Sequence, residues 1–362
     1  MKDKRNYGID FLRILSMLFV VILHCLGRGG VLNTVILNSS QYKLAWFLEI
    51  VAYCAVDIFA LISGYVAYTG KEKNTDYSKY IVLWLQVVFY GLLVTLIFNI
   101  WHPELVTSKD YLFAVLPVTK GLYWYFTAYT GLFIIMPILN KVIYSCNPKT
   151  LRKMFIAIIL GFSIYDTFAK NFVLSNGYSV IWIILLYLLG GIMKKCEIGK
   201  NVRVYQALIG IIICYILTYL YKMYGFQNEF FDINKGLLIN YTSPTVLGAA
   251  MFYLIGFSKI NFPKIIQKVI KFTAPATFAV YLLNNQRFIW NYVMNLRFTY
   301  LYNASILRLG FDVMRFSIIF VVIAILIDKV RIYLFKVCHI NDFARIIANL
   351  LNKVVTKLSA WI

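Results

Sequence analysis

The stretch Ile9–Leu26, IDFLRILSMLFVVILHCL, constrains this chain more than any other. As a helix rising 1.5 Å per residue it is long enough to cross the ~30 Å hydrocarbon core of a bilayer. It nevertheless carries Asp10, Arg13 and His24. Arg13 and His24 are eleven residues apart. At 3.6 residues per turn that spacing returns to nearly the same face, with a rise of roughly 16 Å. Charge inside a membrane is costly and belongs in a bundle interior or a water-filled cavity. The spacing therefore predicts one helix face with a permanent cation low down and a titratable imidazole high up. That helix is the axis of a site running through the membrane.

The remainder of the chain agrees with a membrane setting. Of its 362 residues 61% are hydrophobic and 14% charged, and the mean hydropathy is +0.73. A soluble domain has about 25% charged and 45–50% apolar residues. The fold class expected is all-α, one polytopic transmembrane bundle, with any chemistry done by the membrane part itself. The net charge of +21 does not indicate nucleic acid, because the basic residues sit in short loops between apolar spans. The six cysteines are scattered without metal-ligand spacing or a paired framework, so no metal is expected. The basic-then-apolar N-terminus, with no small-residue cleavage site after Leu26, reads as a retained first span.

Ten candidate spans are expected, at roughly 9–27, 44–69, 80–101, 122–144, 151–169, 178–195, 204–224, 241–258, 272–293 and 308–335. With the N-terminus in the cytoplasm, most Lys and Arg fall on the inner side, which places both ends there. Residues 1–335 form the membrane domain. The tail, 336–362, places Phe343, Ile346, Ile347, Leu350, Leu351, Val354, Val355 and Leu358 at helical spacing. It reads as an in-plane amphipathic helix on the anionic lipids of the inner leaflet. No internal repeat is visible, which weakens a transporter built on inverted halves.

Further polar residues lie within the spans. Glu49 is about two turns from the outer end of the second span, near the expected depth of His24, and Asp57 is near mid-membrane. Gly64 in Ser63-Gly64-Tyr65 permits close helix approach. Residues 111–118 suggest an interfacial helix. Trp124, Tyr125 and Tyr129 open the fourth span, either as belt anchors or as the lining of a sugar-binding mouth. Span nine holds Asn284-Asn285-Gln286-Arg287, and Asp312 in span ten is placed to neutralise Arg287 or Arg315.

Three blocks carry a resemblance. They are Arg13 and His24 within DFLRILSMLFVVILH, DIFALISGY (Asp57–Tyr65), and LYWYFTAYTGLFIIMPILN (Leu122–Asn140); LLYLLGG, NYTSPTVL and ATFAVYLL are weaker matches. In order and spacing the chain resembles the membrane-bound acyltransferase-3 family, particularly its O-acetyltransferase-like members associated with capsular and exopolysaccharide assembly. Two departures stand out. The family's Arg-x-x-Arg pair after span two is replaced by Lys71, Lys73 and Lys79, and its Tyr-Leu-Ile-His in span nine reads Tyr281-Leu282-Leu283-Asn284.

The resemblance implies acyl transfer from cytoplasmic acetyl-coenzyme A to a hydroxyl of a cell-surface or lipid-linked polysaccharide. It also implies a multi-pass chain of the bacterial plasma (inner) membrane. Under it, Arg13 and the lysines Lys71, Lys73 and Lys79 hold the phosphates. His24, with an unperturbed pKa near 6.5, takes the hydroxyl proton or accepts the acyl group itself. Glu49, then Asp57, is the carboxylate expected to fix its tautomer. Asn284, Arg287 or Tyr129 is the expected oxyanion donor, and Trp124, Tyr125, Tyr129, Asn284 and Arg287 contact the acceptor. Simpler roles stand beside these: His24 as a bonded interior histidine, Arg13 as a snorkelling anchor, Asp57 as a packing contact, and Arg287–Asp312 as a structural ion pair. The other class to weigh is a transporter or flippase. Discontinuous spans would favour it, and Pro275 or the Asn-Asn-Gln-Arg run is where one is expected.

Overall fold

The computed structural model describes residues 5–71, 76–169, 172–227 and 234–359, with side chains described to residue 354. Every regular element among them is helical. The first half comprises α1 (Tyr7–Leu26), α2 (Val31–Thr34), α3 (Ser40–Ala52), α4 (Ala55–Ala67), α5 (Tyr77–Trp101), α6 (Ser108–Val115) and α7 (Trp124–Ser145). Next come α8 (Pro148–Ile159), continued through a π-turned stretch into α9 (Asp166–Ala169), then α10 (Val180–Lys195), α11 (Val204–Tyr224) and α12 (Pro244–Phe257). The chain finishes with α13 (Lys264–Thr273), α14 (Phe278–Asn284), α15 (Ile306–Val337) and α16 (Ile340–Ser359). Among the described residues six helical segments are long and apolar enough to cross a membrane. All ten expected windows are occupied by helix, several of them in shorter pieces.

Two expected spans are broken. The second divides at Tyr53–Cys54 into α3 and α4. The ninth begins after α13, an amphipathic helix exposing Ile265, Val269 and Phe272, and continues through a 3₁₀ turn at Ala274–Ala276 into α14. It is interrupted again at Asn285–Gln286, within the Asn-Asn-Gln-Arg run. The tail forms the expected helix, α16, with Phe343, Ile346 and Leu350 exposed and Ala344 and Ala348 buried. Residues 111–118 fall largely in α6, which lies against α5 with Ala114 close to Gly91.

α1 is set by its ends. The Asn6 side chain accepts from the Ile9 backbone N–H at 3.1 Å and donates to Ser258 O at 2.8 Å, joining the start of α1 to the end of α12. Asp10, in the first turn where a negative charge suits the helix dipole, accepts from Arg5 at 2.5 Å and from Arg13 at 3.0 Å. The start of α1, the end of α4 and the ends of α10 and α12 thus gather at one basic end, where Lys194 lies over the Tyr65 ring at 4.7 Å. Lysines there also close helix ends. Lys195 donates at 2.8 Å to the carbonyls of Ile143, Tyr144 and Cys146, as a cation at a helix C-terminus should.

The tightest seam joins α4 to α10. Gly64 lies against the Tyr187 backbone and Gly190 against Leu61 O, so that a Cβ at Gly190 would sit 2.1 Å from that oxygen. Small residues at such crossings let backbones approach where the hydrophobic effect gives no drive between helices. Beside the seam the Trp182 indole donates to Asp57 at 3.0 Å. Gly190→Ala is expected to destabilise by about 1–3 kcal/mol, since backbone cannot yield as a side chain does. Gly161→Ala, with no atom within 4 Å, is expected to leave stability unchanged or slightly raised. Thermal unfolding in detergent separates the two, and equal effects would remove the seam's importance.

Candidate functional site

The broken second span opens a chamber of about 360 Å³. A continuous helix would bond Val51 O to the N–H of residue 55. Here the Tyr215 hydroxyl, from α11, donates to Val51 O at 2.9 Å, and the Cys54 thiol, 3.6 Å from that hydroxyl, donates to the same oxygen at 3.6 Å. A side chain inserted into the backbone ladder accounts for the break without proline or glycine, and it satisfies a carbonyl with no water nearby. The break turns Tyr53, Ala55 and Val56 into the chamber wall, with Glu49 one turn above.

The imidazole of His24 lies in the opposite wall. α1 presents Met17, Val20, His24 and Gly27 along one stripe. Nδ1 of His24 is in close hydrogen-bond contact with Oδ1 of Asn284, and the ring meets Trp290 edge-on at 4.8 Å. With the amide oxygen at Nδ1, the ring carries its proton there and Nε2 keeps its lone pair. The partner fixing the tautomer is therefore Asn284, not a carboxylate. Glu49 shares the chamber without a hydrogen bond to the ring, and its Oε2 is buried without a partner. Asp57 is fully buried at the α4–α10 seam with Trp182 and does not line the chamber.

Aromatic residues close the remaining sides. Trp124 and Tyr125 are among them. Trp124 meets Tyr178 at 4.7 Å, Tyr178 meets Tyr241 at 5.0 Å and Tyr241 meets Tyr53 at 4.9 Å between ring centroids. Gly177 makes this wall possible. Its φ is +95°, and a Cβ there would lie 2.3 Å from Cβ of Tyr241. The Tyr125 N–H, unpaired at the start of α7, donates to the Tyr281 hydroxyl at 3.0 Å, while the Tyr125 hydroxyl is buried without a partner.

A second cavity, of about 410 Å³, lies toward the basic end. Arg13 and Lys79 line it together with Ser63, Tyr129 and Phe133. Three helices supply both spaces at successive turns: α1 with Arg13 below and Met17, Val20 and His24 above, α4 with Ser63 below and Val56 and Phe59 above, and α7 with Tyr129 below and Trp124 and Tyr125 above. The stacked rings of Tyr125 and Tyr129, 6.5 Å apart, stand between the two levels.

Several expected placements are corrected. Tyr129 faces the Arg13 cavity and not the acceptor mouth, because four residues of helix carry it one turn down from Tyr125. Arg287 pairs with Asp110 of α6, outside the chamber, whereas its neighbour Asn285 lines it. Asp312 instead faces Arg315 at 3.3 Å and Arg308 at 3.6 Å. Lys79 lines the lower cavity and approaches Asp76 at 3.7 Å. Lys71 is exposed and away from that lining, and Lys73 lies outside the described residues. Arg28 is a chamber residue that sequence reading left in an outer loop. It stacks over Trp290 at 5.5 Å and donates to Trp290 O at 3.3 Å. Its spacing, four residues after His24, was the available signal.

Tyr215→Phe should leave Val51 O with only the weaker Cys54 thiol donor at 3.6 Å, at a cost of about 1 kcal/mol. The expected result is a lowered unfolding midpoint with faster amide exchange confined to residues around 51–56. An unchanged midpoint and unchanged exchange would mean that the hydroxyl does not hold the break.

Residues 6–327 match the Acyl_transf_3 family model, described as an acyltransferase domain. No curated protein and no solved structure matches the chain.

Proposed function

The chain belongs to the acyltransferase-3 family of membrane acyltransferases, and on that premise we propose that it is an O-acetyltransferase of the bacterial plasma membrane. It moves an acetyl group from cytoplasmic acetyl-coenzyme A to a hydroxyl of a cell-surface or lipid-linked polysaccharide. The observation that carries this reading is the pair of cavities stacked along the same faces of α1, α4 and α7, with Arg13 in one and His24 in the other. A donor with a polyanionic head and a long thin arm suits the lower cavity, with its phosphates near Arg13 and Lys79 and its thioester directed upward. A polyhydroxylated acceptor suits the aromatic and amide lining of the upper chamber.

In this mechanism Asn284 holds Nδ1–H, so Nε2 of His24 takes the proton of the acceptor hydroxyl as its oxygen attacks the thioester carbonyl. Negative charge gathers on the carbonyl oxygen, for which the unpartnered Tyr125 hydroxyl is the donor we assign. Collapse breaks the carbon–sulfur bond, the ester forms, and the departing thiolate recovers the proton from Nε2. Glu49, in the same chamber, favours the transient imidazolium. The Asn in place of the family's histidine thus keeps a positioning role, bonding the ring without competing for the proton.

The breaks at Tyr53–Cys54 and Asn285–Gln286, which both border the chamber, are the feature favouring a transporter. Transfer of radiolabel from acetyl-coenzyme A to glycan in membranes separates the two, since a carrier labels nothing. His24→Ala is expected to lower the rate by about 10²–10⁴-fold with the unfolding midpoint retained. Asn284→Ala should lower kcat about 10-fold, equivalent to one hydrogen bond, with KM for acetyl-coenzyme A unchanged. Arg13→Lys should raise that KM more than it lowers kcat, because lysine lacks the bidentate fork for phosphate. Full activity in His24→Ala would sink the proposal.

A further inference from the structure

A recess of about 340 Å³ adjoins the chamber on the side away from His24. It lies between α3 and two loop segments, one around Asn176 and the other from Asn234 to Asn240. Glu49 and Tyr53 line both spaces. Together with Trp46 they follow one another at helical spacing on one face of α3, so that face runs from the recess into the chamber. Among the described residues no Lys or Arg lines the recess; its polar lining residues there are three asparagines, Trp46, Tyr53 and Glu49.

We propose that this recess is a second sugar subsite, which takes the residue of the acceptor chain adjoining the one that is acylated. The inference rests on the acetyl-transfer reading for what happens in the chamber, and on the recess itself for what is bound there. Its hydrogen-bonding capacity is incompletely used. Glu49 Oε2, on a side chain only 8% exposed, and Trp46 Nε1 are buried without a protein partner. Buried polar groups in that state are completed by a ligand or water. The Asn234 amide oxygen accepts from Gly236 N–H at 2.8 Å, and the Asn240 amide nitrogen donates to Leu237 O at 3.2 Å. These bonds orient both side chains and leave a donor group on Asn234 and an acceptor on Asn240 for another molecule.

Neutral amides, one indole N–H and one carboxylate offer donors and acceptors in mixed array. That suits vicinal hydroxyls, each of which both donates and accepts. A phosphate would meet the Glu49 carboxylate, and an acyl tail would desolvate the amides. Lys222 lies over the Trp46 ring at 3.6 Å and covers one of its two faces. The recess adjoins the chamber at Glu49 and Tyr53, and on this proposal the ligand is a chain of at least two sugars and not a free monosaccharide.

The test uses full-length protein in nanodiscs and a panel of fluorescent oligosaccharides of one to four hexose or N-acetylhexosamine units. For the best-bound series, affinity is expected to rise about tenfold from one sugar to two. Trp46→Phe, which keeps the ring and loses the N–H, and Asn240→Ala should each erase most of that gain and alter one-sugar binding less than threefold. Thermal unfolding checks that both variants fold. The subsite is overturned if one and two sugars bind alike, if the variants weaken both equally, or if no glycan binds. Labelling of the same glycans from radiolabelled acetyl-coenzyme A reads the chamber separately. Length-dependent binding without labelling keeps the subsite and removes the transfer reading; labelling without length dependence does the reverse.

Discussion

Backbone that leaves a helix inside an apolar bundle has no water to bond with, so each freed carbonyl or amide must find a side chain. This constraint shapes the whole site. Where the second span opens at Tyr53–Cys54, the Tyr215 hydroxyl and the Cys54 thiol both reach Val51 O. The start of α7 is seated only because the Tyr281 hydroxyl accepts from Tyr125 N–H. Tyrosine serves well in this position, since one residue brings a large apolar ring and a single polar tip. The chamber is thus a consequence of backbone satisfied from neighbouring helices, and its aromatic walls are partly the residues that do the satisfying.

The same logic separates residues that hold the bundle from residues left to act. Asp328 is fully buried, yet it accepts from Gln86, Tyr90 and Arg331, at 2.7 to 3.1 Å, and so pins α5 to α15. A carboxylate met on all sides in this way has nothing left for a ligand. Lys195 is likewise spent on three carbonyls, and Arg287 on Asp110. Glu49, Tyr125 and Trp46 are the converse, with buried polar atoms that meet no protein group. Those atoms cluster around the chamber and its recess, where a polyhydroxylated molecule would complete them.

Two levels of one site arise because α1, α4 and α7 each show a single face over several turns. Packed helices keep their facing stripes together along their length, so a cavity lined by Arg13, Ser63 and Tyr129 lies one level below one lined by His24, Phe59 and Tyr125, with the stacked Tyr125 and Tyr129 rings between them. The close α4–α10 seam holds α4 in this position through Gly64 and Gly190. The arrangement puts Arg13 and Lys79 at one level of the site and His24, Glu49 and Arg28 at the other.

What could be read from the sequence was what depends on local periodicity. Arg13 and His24 share a face because eleven residues make about three turns, and the apolar stretches, the amphipathic tail and the close approach at Gly64 follow from composition and spacing in the same way. Periodicity does not say which helices meet. That Asn284, 260 residues away, bonds His24, that Arg287 turns to Asp110 and not Asp312, and that Tyr178 and Tyr241 complete the wall with Trp124 were decided by tertiary packing. Each pairing joins elements far apart in the chain, and its cause is backbone and charge that had to be satisfied within the bundle. That requirement is invisible until the neighbours are known.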